Sequence, residues 1–184
     1  SRALIIVDVQ PTFCEGGALA VQGGNAIAEA VARFVDEHRG DYALIATTQD
    51  WHIDPGTHFS DSPDFVDTWP PHGVAGTPEA ELHPALARVN AQVSVKKGQY
   101  EAAYSGFEGT TEDGKTLEQA LRDAGITDVD VVGLAESHCV ASTAIDAAHA
   151  GFATRVLSDL TVPVSEELGK AAREKMRTEG VTLV

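Results

Sequence analysis

The stretch VDVVGLAESHCVASTAIDA, residues 129–147, shows the change of pattern that decides the fold class. Its first part, Val129 to Leu134, is a nearly continuous apolar run, which is typical of a strand buried on both faces of a parallel sheet. Its second part places small residues at helical spacing from Cys139 to Ala150, and Gly151 follows as a helix stop. A strand, a short turn and a helix in this order predict one β–turn–α unit of an α/β fold.

Similar apolar and β-branched runs recur along the chain, and helical patterns lie between them. We predict strands at residues 3–9, 42–48, 93–97, 129–134, 154–157 and 181–184. Helices are predicted to begin near Asn25, after the capping box Thr116–Gln119, at Cys139, and at Glu166 with Ser165 as N-cap. Strands that alternate with helices predict a doubly wound, six-stranded, mainly parallel sheet with helices on both faces, formed by a single domain over residues 1–184.

The composition argues against several classes of partner. The chain carries 13 Lys and Arg against 28 Asp and Glu, and its net charge of −15 argues against binding to nucleic acid or to anionic membrane surfaces. No apolar run approaches the roughly 20 residues of a membrane span, no signal-like segment opens the chain, and two cysteines do not make a disulfide framework. We therefore expect a cytoplasmic monomer or small homo-oligomer that acts on a small molecule, with no nucleic acid or membrane partner.

Two long segments that follow predicted strands interrupt the alternation, and long loops at the carboxyl ends of parallel strands are usually functional. They are Asp50–Gly76 and Gly98–Gly114. In the first, Asp50 and His52 point the same way in an extended segment. Proline and glycine residues allow the chain to bring His58 and His72 back to them. Three imidazoles and a carboxylate suit one divalent ion such as zinc, iron or manganese, and the alternative is a set of polar residues on a surface loop.

Cys139 has two interpretations. A free cysteine is commonly a small buried hydrophobe. At the start of a helix, however, it can be a thiolate with a lowered pKa, beside backbone N–H groups that can hold an oxyanion. The strand–turn–helix setting of Cys139 favours the second interpretation, because the nucleophiles of other α/β hydrolases occupy such turns.

A nucleophilic thiol needs a group that accepts its proton. His138 is adjacent in sequence, but consecutive side chains in such a turn diverge. Asp8 ends the first strand in LIIVDVQ, where apolar neighbours are expected to raise the pKa of its carboxyl. Lys97 ends the third strand in VSVKKG and could keep both the carboxyl and the thiol anionic. Lys96 alternates to the other face of that strand.

Together, these motifs resemble the nicotinamidase/pyrazinamidase branch of the isochorismatase-like cysteine hydrolases. They are LIIVDVQ (4–10) with FCEGGAL (13–19), TQDWH (48–52), WPPHG (69–73), KKG (96–98) with AAYSGFEG (102–109), and VVGLAESHCVASTAIDA (131–147). The resemblance covers nearly the whole chain and implies an isochorismatase-like fold. It implies a catalytic triad of Asp8, Lys97 and Cys139 and a metal site of Asp50, His52, His58 and His72. It also implies an oxyanion hole of the Ala135 and Cys139 N–H groups after a cis Leu134–Ala135 peptide, and a substrate pocket of Phe13, Leu19, Trp69, Tyr104, Leu134 and His138.

The activity implied by this resemblance is deamidation of nicotinamide to nicotinate and ammonia, and of pyrazinamide to pyrazinoate, through a thioester on Cys139. Two other interpretations stay open. One is a relative that hydrolyses a different small amide or a vinyl ether, and the other is a noncatalytic protein that binds a ligand or a metal. The chain also departs from the family pattern, since Pro11-Thr12 replaces a usual Asn-Asp pair and Glu136-Ser137 replaces a common Thr-Asp pair.

Overall fold

A six-stranded parallel sheet forms the centre of the protein in the computed structural model, which describes residues Ser1–Val184. Its strands are β1 (Arg2–Val7), β2 (Leu44–Asp50), β3 (Val93–Lys97), β4 (Asp128–Leu134), β5 (Ala153–Val162) and β6 (Thr182–Leu183). They lie in the order β3-β2-β1-β4-β5-β6, and every neighbouring pair is parallel. The predicted doubly wound sheet is confirmed, and it is parallel throughout rather than mainly parallel.

Four α-helices cover the two faces of this sheet. They are α1 (Gly24–His38), α2 (Leu117–Asp123), α3 (Ala141–His149) and α4 (Glu166–Thr178). In β1, Ala3, Ile5 and Val7 pack in a cluster with residues of α2, α3 and α4. Leu4 and Ile6 pack in a second cluster with residues of α1. All five side chains are fully buried, which explains why the strand reads as an unbroken apolar run. None of the helices has the length and apolar character needed to cross a membrane.

Most strands start or end within two residues of their predicted bounds, and two elements differ in a way that affects the fold. The strand predicted to end at Leu157 continues to Val162. The β4–β5 register shifts between Val131 and Gly133, and the exposed Ser158 and Asp159 lie in the resulting β-bulge without ending the strand. The helix predicted from Cys139 begins instead as a π-helical turn, Glu136–Val140, that leads into α3. By contrast, α4 has its predicted bounds, and the Ser165 hydroxyl accepts a hydrogen bond from the Leu168 N–H as N-cap.

The chain adds strands first on one side of β1 and then on the other, and this change of side marks the expected position of a ligand site. β2 and β3 extend the sheet on one side of β1, whereas β4, β5 and β6 extend it on the other. Ligands of open α/β sheets bind at the carboxyl ends of the strands beside such a switch point. Asp8 follows β1 there, Asp50 and Lys97 end β2 and β3, and the π-helical turn follows β4.

Candidate active site

Asp8 is held by hydrogen bonds to Thr48 at the carboxyl end of β1. Its backbone is left-handed, with φ of 49°, which is uncommon for a residue other than glycine and is often found at functional sites. Its N–H donates to the Thr48 carbonyl at 3.1 Å, and the Thr48 hydroxyl donates to Asp8 Oδ1 at 2.7 Å. The side chain is completely buried, and burial raises the pKa of Asp8 although the Lys97 ammonium opposes the shift.

Lys97 lies at the centre of the buried charges. Its Nζ is 2.8 Å from Asp8 Oδ2 and 3.9 Å from Cys139 Sγ, and it also donates to Asp50 Oδ1. The contact with Asp50 follows from the parallel register of β2 and β3, which pairs Asp50 with Lys97. Burial alone would lower the pKa of Lys97, but the two carboxylates outweigh it and hold that pKa well above its usual range. Lys97 therefore stays an ammonium ion.

Cys139 lies inside the π-helical turn, and its side chain is 7% exposed. Burial raises the pKa of Cys139 well above its ordinary value, and the nearby carboxylates of Asp8 and Asp50 add to the shift, while Lys97 opposes it. The prediction that a helix terminus lowers this pKa is therefore wrong. The resting group is a thiol, and its proton has to be removed during any nucleophilic step.

The turn that carries Cys139 has an unusual backbone. The Leu134–Ala135 peptide is cis, as the resemblance implies. The Val140 N–H then donates to the Ala135 carbonyl at 3.1 Å and closes the π-helical turn. Turns of this kind are rare and are frequent at functional sites. The oxyanion hole assigned to the N–H groups of Ala135 and Cys139 stays a prediction.

Three buried imidazoles form a cluster beside these charges. The nitrogen atoms of His52, His58 and His72 that could bind a metal lie within 4.8 Å of one another. Asp50 Oδ2 is 3.3 Å from His52 Nε2 and 3.6 Å from His72 Nε2. Asp50 therefore joins the cluster through one oxygen and contacts Lys97 through the other. Burial alone would raise the pKa of Asp50, but Lys97 and the two imidazoles outweigh it and hold that pKa well below its usual range.

The donor set fits a divalent metal ion. The Nδ1 atoms of His52 and His72 contact backbone carbonyls of Gly98 at 2.6 Å and Pro70 at 2.8 Å, which orients each Nε2 toward the cluster. His52 Nε2 and His58 Nδ1 are buried without a hydrogen-bond partner, which is costly unless a ligand binds them. Burial, with the neighbouring imidazoles, lowers the pKa of His58 to about 4, so His58 is neutral and able to bind a metal at neutral pH.

Two glycines allow the chain to pack against these ligands. Gly98 has φ of 75°, and a Cβ there would lie 2.5 Å from Cε1 of His52. Gly73 has φ of 53°, and a Cβ there would lie 2.8 Å from Cβ of Asp50. Any side chain at either position would displace a residue of the cluster.

A cavity of about 340 Å³ opens beside Cys139 and reaches the histidine cluster. The predicted pocket residues line it: Phe13, Leu19, Trp69, Tyr104, Leu134 and His138. Ala135, Asp50, His58 and His72 line it as well. The Trp69 indole N–H donates to the Tyr104 hydroxyl at 3.1 Å and its ring meets His138 edge-on at 5.6 Å, so the wall of aromatic rings is braced on both sides.

The structure adds residues that the sequence analysis missed. Gln10 clamps the backbone of Asp50, because its amide nitrogen donates to the Asp50 carbonyl at 3.0 Å and its amide oxygen accepts from the Asp50 N–H at 3.0 Å. The only sequence signal for this role was a polar residue directly after the first strand. Phe65, Val164 and Leu168 form an apolar rim around the cavity, each more than one-third exposed, and no motif pointed to them.

Replacing Lys97 with methionine is expected to destabilise the fold, because the carboxylates of Asp8 and Asp50 would stay buried without their cation. Removing one partner of a buried ion pair costs roughly 3–5 kcal/mol, and urea unfolding measures the loss. The adjacent lysine is a matched control, since Lys96 lies 3.9 Å over the ring of Trp51 on the other face of the strand. Lys96→Met should cost less than about 1 kcal/mol. Equal losses in the two variants would contradict the central position of Lys97.

Comparisons with known proteins agree with this arrangement. A family profile described as the isochorismatase domain matches residues 2–184. The chain is 54% identical over 183 residues to the nicotinamidase/pyrazinamidase of Mycobacterium tuberculosis, covering 100% of this chain and 98% of that protein.

Among solved structures, the chain resembles the pyrazinamidase of Pyrococcus horikoshii in complex with zinc, with a TM-score of 0.83 and 36% identity over 100% of this chain and 98% of that one. It also resembles PnC1 from L. infantum in complex with nicotinate, with a TM-score of 0.85 and 31% identity over 100% of this chain and 92% of that one. The chain therefore belongs to the isochorismatase family, which confirms the resemblance seen in its motifs.

Proposed function

We propose that this protein is a metal-containing cysteine amidohydrolase that deamidates nicotinamide to nicotinate and ammonia, and pyrazinamide to pyrazinoate. The observation that carries the proposal is the buried Lys97, which lies 2.8 Å from a carboxylate and 3.9 Å from the Cys139 thiol at the wall of a cavity. The relatives at 54% and 36% identity are named as a nicotinamidase/pyrazinamidase and a pyrazinamidase, and they support the same substrates.

In the first half of the reaction, the Asp8 carboxylate takes the proton of the Cys139 thiol. Burial makes Asp8 a stronger base than an exposed aspartate, because its pKa is raised. The thiolate attacks the carboxamide carbon, and the carbonyl oxygen becomes an oxyanion, which we propose the N–H groups of Ala135 and Cys139 hold. Lys97 stays charged and stabilises the anions around it.

In the second half, the C–N bond breaks and Asp8 gives its proton to the leaving nitrogen, so ammonia departs and a thioester stays on Cys139. A water molecule then gives a proton to Asp8 and attacks the thioester carbon. The thiolate leaves the tetrahedral intermediate and takes the proton back from Asp8, so the thiol is restored. Nicotinic acid departs and ionises to nicotinate by losing its proton to solvent. Asp8 therefore acts as base, acid, base and acid in turn.

We further propose that Asp50, His52, His58 and His72 hold one divalent metal ion. Their buried unpartnered nitrogens and oriented rings support this assignment. When bound, the ion supplies a Lewis acid that can bind a pyridine nitrogen directly or through water. Phe13, Trp69 and Tyr104 line the cavity, and Phe13 and Trp69 would pack on the faces of a bound ring.

The polypeptide is proposed to form one domain over residues 1–184, which works in the cytoplasm as a monomer or small homo-oligomer without a nucleic acid partner. The net charge of −15 supports the last point, because nucleic acid binding needs clustered cations. Sedimentation velocity gives the mass of the particle in solution.

The acid side of the pH profile is expected to report Asp8. The reaction needs the ionised carboxylate, and the pKa of Asp8 is raised, so protonation begins at a higher pH than the ordinary value of about 3.9. As the pH falls through the raised pKa, kcat/KM should fall about tenfold per pH unit. The measurement is kcat/KM for nicotinamide with metal content determined at each pH. A profile that stays flat down to the ordinary value, with the metal retained, would contradict the role of Asp8.

Ammonia release from nicotinamide, with a metal assay on the same sample, tests the proposed function. We expect turnover of nicotinamide and pyrazinamide by protein that holds about one divalent ion per chain, and loss of turnover after chelation that metal addition restores. Release of ammonia from other small amides but not from nicotinamide would replace the proposed substrates. No amide turnover by the metal-loaded protein would instead favour a noncatalytic binding protein.

A further inference from the structure

Ser137 and His138 lie directly before the nucleophile, in the turn where this chain departs from the pattern of its family. The Ser137 hydroxyl oxygen accepts a hydrogen bond from the Val164 N–H at 3.0 Å. The same oxygen lies 2.9 Å from His138 Nδ1. Ser137 therefore links the imidazole beside Cys139 to the backbone that precedes α4.

These two contacts favour one tautomer of His138. A hydroxyl has one hydrogen, and His138 Nδ1 is the one protein acceptor that the structure brings within hydrogen-bond distance of the Ser137 hydroxyl. Burial lowers the pKa of His138, so its ring is neutral and has one N–H group. A hydrogen on Nε2 lets Nδ1 accept from Ser137, whereas the opposite tautomer would leave the Ser137 hydroxyl without an acceptor in the protein.

The Nε2–H group is available to a ligand. His138 Nε2 makes no hydrogen bond within the protein, and it is not among the buried unpartnered atoms. The ring lines the cavity, and Trp69 meets it edge-on with an interplanar angle of 83°. Most of the remaining wall is apolar, so a fixed N–H donor there has few competing polar partners.

We propose that Ser137 is a positioning residue that holds His138 as a neutral Nε2–H donor, and that this donor binds a neutral acceptor at the carboxamide end of the substrate. Two acceptors have this chemistry: the carboxamide oxygen, which both proposed substrates carry, and the ring nitrogen next to the carboxamide, which pyrazinamide has and nicotinamide lacks. The kinetic part of this inference rests on the proposed amidase function, whereas the tautomer does not.

The test compares Ser137→Ala with Ser137→Thr, which keeps the hydroxyl, and with Ser94→Ala on β3 as a control away from the cavity. In zinc-loaded protein labelled with ¹⁵N-histidine, NMR should show the His138 hydrogen on Nε2 in the parent protein and in Ser137→Thr. Ser137→Ala should show exchange between the two tautomers. The signals are assigned by their loss in His138→Phe.

The kinetic arm measures KM and kcat for both amides. Loss of one fixed hydrogen bond should raise KM in Ser137→Ala by about three- to tenfold, with a smaller change in kcat and recovery in Ser137→Thr. An equal rise for both amides identifies the carboxamide oxygen as acceptor, and a rise for pyrazinamide alone identifies its ring nitrogen. A hydrogen on Nδ1 in the parent protein, or unchanged KM for both amides, would overturn the inference. If the parent protein turns over neither amide, the amidase proposal fails, and the NMR result still decides the role of Ser137.

Discussion

Replacing Cys139 with alanine is expected to reduce kcat for nicotinamide by roughly 10⁴–10⁶-fold, because no other side chain can form the thioester. The fold should persist, since the substitution removes one sulfur atom from the wall of a cavity. Ammonia release measures the loss of activity, and urea unfolding measures the stability of the variant.

The second free cysteine provides the matched control. Cys14 is buried and does not line the cavity. Burial and the charge of Glu15 raise the pKa of Cys14 to about 11, so it is an unreactive thiol at neutral pH. Cys14→Ala should keep its activity. A Cys139→Ala protein that retains more than about one-tenth of the parent kcat would rule out Cys139 as the nucleophile.

Asp8→Asn is expected to lower kcat by about 10²–10⁴-fold, the range typical of removing a general base. The amide has nearly the same shape as the carboxyl and can still accept from Thr48, but it cannot take the proton of Cys139. It also replaces a negative partner of the Lys97 ammonium, so some loss of stability is expected together with the loss of activity.

Asp130 separates these two effects. It is another fully buried carboxylate, and it is held by Arg2, Arg155 and Tyr42, far from the cavity near the amino end of β4. Asp130→Asn should therefore destabilise the protein while leaving kcat within about twofold of the parent value, because distant sites act independently. Equal losses of kcat in both variants would show that Asp8 acts through stability and not as a base.

Much of the fold follows from local sequence patterns. The apolar runs predicted all six strands because a parallel sheet covered on both faces buries nearly every side chain of its central strands. Ser165 predicted the start of α4 because its hydroxyl satisfies a free N–H of the first turn. The end of β5 was not predictable from Ser158 and Asp159, because the bulge depends on the register with β4.

The candidate site was predictable to the level of its residues but not of its contacts. Strand ends and the strand–turn–helix pattern pointed to Asp8, Lys97 and Cys139, and the histidine-rich loop pointed to a metal site, but the sequence did not show that the two groups of residues are in contact. The histidine cluster and the Asp8–Lys97–Cys139 group are joined by the contact between Lys97 and Asp50. That contact depends on the β2–β3 register, which an unbroken apolar run does not set. The direction of the Cys139 pKa shift was also missed, because burial is a tertiary property that outweighs the local effect of a helix terminus.

The departure at Glu136-Ser137 now has a physical account. The Glu136 carboxylate is buried and lies 2.6 Å from the Arg173 guanidinium of α4. The Ser137 hydroxyl accepts from the Val164 N–H just before that helix. Both residues therefore attach the nucleophile turn to α4, and neither contact could be inferred from the motif alone.

The proposed reaction requires that the Cys139 sulfur attacks a carbonyl carbon attached to a pyridine ring in this cavity. The most direct measurement is NMR of pyridine-3-carbaldehyde labelled with ¹³C at its carbonyl carbon, bound to the metal-loaded protein. We expect the carbonyl signal to move to the range of a tetrahedral carbon bonded to sulfur, and Cys139→Ala to abolish this change. An unchanged aldehyde signal with the parent protein, or the same adduct with Cys139→Ala, would show that Cys139 is not the nucleophile.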